Sequence, residues 1–142
     1  MRQEHDIRLA YINTLLDSGY TRLLEGTENP TIGYIVGGVT KGSTMHEDET
    51  HYDFRSRYER TSRKINHYAQ FKELWCKYAE KAPLYNDYDG HRLSGVGTWI
   101  HKGKISFDLV QHFHNLDEAT QQANQRKEIA IWDCKNQKEI TL

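Results

Sequence analysis

The run from Leu93 to Phe113 constrains this chain more than any other stretch. Leu93 to His101 reads as a strand, Lys102-Gly103-Lys104 as a tight turn, and Ile105 to Phe113 as the returning strand. Side chains alternate across a strand, so Ile105, Phe107, Leu109 and Phe113 face one way and Ser106, Asp108 and His112 the other. That pattern predicts an antiparallel ladder buried on one face and wet on the other. A chain carrying such a hairpin must build its core against the apolar face.

Helical patterns supply the cover. Ile7, Tyr11 and Leu15 recur every four residues over 3–18, widened by Ile12 and Leu16, with Gly19 as the expected stop. Residues 55–81 predict a long helix, best marked from Ile65 onward by Tyr68, Phe71, Leu74, Trp75 and Tyr78, which Pro83 ends. Asn115 followed by Glu118 has the capping-box pattern of a short third helix. Residues 32–40, Glu128–Cys134 and Glu139–Leu142 read as strands, while "TRLLEGTENPT", Lys41–His51 and 84–92 read as connectors or loops. The expected fold is a single α+β domain over 1–142, an antiparallel sheet with helices packed on one side, in the order α-β-α-β-β-α-β-β.

Its 142 residues and 16.7 kDa suffice for one core. A formal net charge of −1 gives no overall attraction to nucleic acid polymers or anionic membranes, so any anion site must be local. Cys76 and Cys134 form no metal or redox motif and read as reduced thiols. Residues 1–18 carry charges throughout and lack the apolar segment of a signal peptide, and no run is long enough to span a membrane. A soluble, cytoplasmic protein is expected.

The segment "GYIVGGVTKGST", residues 33–44, has the glycines, lysine and hydroxyls of a phosphate loop. The order is wrong: a P-loop needs Gly-Lys-Ser/Thr opening a helix, and here Lys41-Gly42-Ser43 stands instead. A strand end with an adjustable loop and a backbone amide nest for phosphate remain as its two readings. His46 and His51 lie five apart, unsuited to a zinc helix or finger, and His112 with His114 reads as a surface pair. No nucleophile elbow, activated cysteine or His-x-Ser/Thr pair is present. Neither a cofactor, a metal nor catalysis is therefore expected.

The richest polar cluster is "HYDFRSRYERTSRK", residues 51–64. On a helix Arg57, Arg60 and Lys64 share a face, with Arg63 nearby, a spacing that suits adjacent phosphates. Phe54 and Tyr58 could stack on a base, while the plainer reading is a solvated face paired with the acidic loop before it. A second constellation is "GVGTWIHKGKISFD". Gly95 and Gly97 share a strand face with Trp99 and leave space beside its indole, for a ligand ring or for a packed helix, and His101 ends the same strand.

Three segments together resemble a known family. "NPTIGYIVGG", "GVGTWIHKGKISFDLVQHFHNLDEA" and "IAIWDCKNQKEI" look like the first family of phage anti-Thoeris proteins over about half the chain. The resemblance implies a non-enzymatic homo-oligomer that sequesters cyclic ADP-ribose isomers, or in some relatives cyclic nucleotides, in the bacterial host's cytoplasm. The chain departs from the expected pattern before the final apolar strand, where Lys127-Glu128 stands in place of a polar amide pair and Asn124-Gln125 comes three residues earlier.

Three functions follow as alternatives. A sequestering protein would grip phosphate with Arg57, Arg60 and Arg63 and stack the base on Phe54, Tyr58 or Trp99, with His101 beside them. A nucleotide-processing enzyme would draw on His101, His112, Asp108 and Asp133 for acid–base chemistry. A protein-binding inhibitor would use a tyrosine-rich surface.

Overall fold

The computed structural model describes residues 1–46, 57–87 and 92–142, with 46 and 57–66 as backbone only. The hairpin is its spine. Strand β4 (Ser94–His101) pairs along its whole length with β5 (Lys104–Phe113). Lys102 and Gly103 make the turn with φ of 50° and 72°, the left-handed conformations that match the twist of the strands.

Three other strands dock on this hairpin. β1 (Gly19–Leu23) pairs with β4. The free edge of β5 is shared: β2 (Tyr34–Val36) pairs with its end, Gln111–Phe113, and β3 (Ser43–His46) with its beginning, Lys104–Phe107. β6 (Ala130–Asp133) extends from β2, and β7 (Lys138–Thr141) closes that side. All pairings are antiparallel, in the order β1-β4-β5-β2-β6-β7 with β3 also on β5.

Helices α1 (Glu4–Asp17) and α2 (Arg57–Lys81) cover one face of the sheet. Ile7 and Ala10 from α1 and Phe71, Trp75 and Tyr78 from α2 pack on Tyr20, Val96, Ile105, Phe107 and Leu109. Thr14 sits in this core because its hydroxyl meets that of Thr98 at 2.6 Å, and the Trp75 indole N–H donates to the Met1 carbonyl at 2.9 Å. Helix α3 (Leu116–Gln125) packs Ala119 and Ala123 on Val36, Phe113 and Ile131. Register puts these strand residues on the same face as Phe107, so all three helices lie on one side. The expected α+β architecture is the one this chain adopts.

Several local expectations are corrected. β1 lies in a segment read as a connector, and β3 in one read as a loop. The α1 stripe buries Ile7, Ala10 and Thr14 and leaves Ile12 at 51% and Leu16 at 75% exposure. Ser18, with φ 63°, ends that helix, while Gly19 already belongs to β1. The second face of β5 is not wet: Asp108, Val110 and His112 are all buried, and Leu23, Ile35, Val110 and Cys134 form a small core there. Cys76 and Cys134 are free thiols.

Candidate functional site

The strand that leaves β2 cannot run straight into β3, although both lie on the same edge of β5. Between them the chain rises as an arch over residues 37–42, tied down by the Val39 amide on the Leu109 carbonyl at 3.4 Å. Glycines make its approach possible. A Cβ on Gly37 would overlap the Asp108 carboxylate, one on Gly42 would stand 2.9 Å from the Phe107 carbonyl, and Gly38 has φ 71°. The arch is the "GYIVGGVTKGST" segment, and it forms one wall of a cleft on the second face of the sheet.

That cleft has a volume near 320 Å³, at the lower end of small-ligand sites, and is lined by Gly38, Thr40, Gly42, Ser43, Thr44, Trp99, Ser106, Phe107, Asp108 and Glu128. Asp108 and Ser106 belong to its β5 floor. Trp99 stands across from Ser106 on β4 and remains 45% exposed, an apolar ring open to a partner. Tyr78 braces the arch from the opposite face, donating to Ser43 Oγ at 2.6 Å and to the Lys41 carbonyl at 3.2 Å.

Asp108 is the chemical centre. It is only 7% exposed, and its Oδ2 accepts the Gly38 amide at 2.8 Å. Its Oδ1 is buried with no hydrogen-bond partner, as is the Thr40 hydroxyl. An unpaired buried carboxylate oxygen is costly, and such an atom in a cleft marks a place for a donor. Burial pushes the Asp108 carboxyl up to about 6; the nearby Glu128 charge adds to this, while the Gly38 and Leu109 amides and Arg126 oppose it. The Arg126 guanidinium is occupied elsewhere, donating to the Gly37 carbonyl at 3.2 Å and to the side-chain oxygens of Gln111 and Gln122. Glu128, just before β6, faces the glycines of the arch.

A larger concavity of about 480 Å³ lies at the other end of the same face, between Leu23, Glu25, Ile32, Asp87, His112 and His114. The histidines meet edge to face at 5.0 Å. Contrary to the surface pair expected, His112 is buried and its Nε2 is engaged with the Ile32 carbonyl at 2.8 Å. No group of three or more His, Cys, Asp or Glu that could hold a metal occurs among the described residues.

The sequence-derived site residues are therefore dispersed. Trp99 lines the cleft, and His101 stands exposed at the end of β4 outside it. Arg57, Tyr58, Arg60 and Arg63 lie on the first turns of α2, the helix whose later turns pack on the opposite face of the sheet, with their side chains outside the description. Phe54 and the acidic loop with His51 lie outside the described residues. The space beside Gly95 and Gly97 is filled neither by a ligand path nor by a helix. The β1 backbone at Arg22 takes the first, and Val110, whose Cγ1 would be 2.8 Å from a Cβ on Gly97, takes the second. Of the acid–base candidates only Asp108 is in the cleft; Asp133 is held by Asn136 and the turn amides at the start of the β6–β7 hairpin. Glu128 entered the sequence reading only as part of the Lys127-Glu128 pair before the final apolar strand, not as a site residue.

Comparisons with protein-family models, with curated proteins and with solved structures find no match for this chain. No helix among the described residues is long and apolar enough to cross a membrane.

Proposed function

We propose that this protein binds a small, phosphate-bearing adenine nucleotide of the cyclic ADP-ribose or cyclic nucleotide class and holds it without cleavage, as a phage anti-defence protein acting in the host cytoplasm. The observation that carries the reading is the pairing, in one cleft, of the exposed Trp99 ring with the unpartnered Asp108 oxygen. A ring to stack on and a fixed acceptor are what a nucleobase site needs. Sequestration asks for tight binding of the ground state, which requires no activated nucleophile. Because α2 lies on the other face of the sheet, the phosphate-gripping role proposed for Arg57, Arg60 and Arg63 falls to a second copy in a homo-oligomer.

One observation favours a second reading. A carboxyl near 6 beside another carboxylate is also suited to general acid–base catalysis on a nucleotide. A single experiment separates the two: the purified protein is incubated with cyclic ADP-ribose isomers and cyclic dinucleotides, desalted, heat-denatured, and the released material identified. The proposal expects intact ligand in proportion to protein, with retention reduced in the Arg57→Ala/Arg63→Ala double variant. Converted product would establish an enzyme, and no retained compound would point to an inhibitor that binds a host protein.

A further inference from the structure

The cleft also says which end of such a ligand it accepts. Phosphate would meet two carboxylates, Asp108 and Glu128, and among the described residues no Lys or Arg is in the lining. Arg126, whose charge acts on Asp108, already donates to Gly37, Gln111 and Gln122. What the walls offer instead is an acceptor, Asp108 Oδ1, a hydroxyl on Thr40 without a partner, and the exposed face of Trp99.

We infer that the cleft receives the heterocyclic base by its amino edge, with Asp108 as the specificity-determining residue, and that the phosphates lie outside it. This rests on the nucleotide-binding reading above and adds an orientation to it. A ring amine donates to Asp108 Oδ1 once the wall over this buried oxygen shifts, while Gly38 keeps Oδ2 in place. The Thr40 hydroxyl turns to serve an adjacent ring nitrogen as donor. A site built for an N–H rejects an analogue lacking it far more strongly than a site that only stacks, because its own buried acceptor is then left unpaired. The Gly38 amide of the arch thus holds a carboxylate rather than a phosphate, which speaks for the strand-end-and-loop reading of this segment over the amide nest.

The test is calorimetric titration of the intact protein with cyclic ADP-ribose, adenosine, purine riboside (which lacks the 6-amino group) and inorganic pyrophosphate. Adenosine is expected to bind without any phosphate, purine riboside to bind about 10- to 100-fold more weakly, and pyrophosphate not to compete with adenosine. Asp108→Asn should weaken adenosine and cyclic ADP-ribose by a similar factor. Thr40→Val, a milder change at the rim, should weaken both severalfold in a protein whose melting temperature is checked alongside. Competition by pyrophosphate, equal binding of purine riboside, or tighter nucleotide binding by Asp108→Asn would overturn the orientation while leaving nucleotide binding intact. Failure of every nucleotide and nucleoside to bind would overturn both.

Discussion

Asp108 holds this protein at a cost that its neighbours only partly offset. Its carboxyl has a folded value of about 6 against 3.8 for the unconstrained group. A group raised in this way contributes stability that is fully present below the unfolded value and is lost as pH rises through the folded one. Wild type should therefore lose stability between about pH 4 and pH 6 relative to Asp108→Asn, which cannot ionise and can still accept the Gly38 amide. The difference should reach about 1–3 kcal/mol at pH 7, the upper figure following from the size of the shift. Paired urea melts of the two proteins at pH 4 and pH 7 check this, and equal stability at both values would contradict the burial argument. At the acid end, Glu4 acts with the opposite sign. Its bonds to Lys72, Tyr68 and Arg8 hold it down to about 2, so its contribution fades only as pH falls below the ordinary carboxylate range. A residue that lowers stability at neutral pH yet faces a cleft fits a functional role better than a structural one.

At the scale of elements, legibility followed contact with the core. β4, β5 and α3 could be read because each carries a complete local signal: strict alternation, a Lys-Gly turn, and an Asn115 side chain that accepts the Asp117 amide at 2.7 Å. β1 could not. Gly19-Tyr-Thr-Arg-Leu has no clean alternation, since Arg22 shares the helix-covered face with Tyr20, paired there to Asp6 and Glu28 at 3.1 and 2.8 Å. β3 was masked by its two hydroxyl residues and the glycine just before it; what makes it a strand is the bare edge of β5. The second face of β5 was read as wet from Ser106, Asp108 and His112, but the arch and the loop after β1 cover it. The aspartate flanked by Phe107 and Leu109 was the available hint of the site, and Glu128 gave none. Close strand approach yields a prediction here. Gly95→Ala would drive a methyl into the Arg22 carbonyl and must part β1 from β4, at a cost of about 3 kcal/mol or more. A denaturation midpoint like that of wild type would show that β1 tolerates the shift.

Over the whole molecule, the sheet divides its work between two faces. One is sealed by α1 and α2 around Phe71, Trp75, Tyr78 and Phe107, each such buried ring worth about 1.5–3 kcal/mol, and by α3 over Val36, Phe113 and Ile131. The other is left to short loops and opens as a cleft between Trp99 and the glycine arch. The three tryptophans report on this division. Trp75 is fully buried under the helices, Trp99 is 45% exposed in the cleft, and Trp132 is 38% exposed further along the open face. Fluorine NMR of protein labelled with 5-fluorotryptophan, its signals assigned by single Trp→Phe variants, therefore locates a bound nucleotide without an affinity assumption. On saturation with cyclic ADP-ribose or adenosine, the account predicts a large shift of the Trp99 signal and little change at Trp75 or Trp132. A saturable ligand that moves Trp132 or none of the three, leaving Trp99 in place, would contradict it.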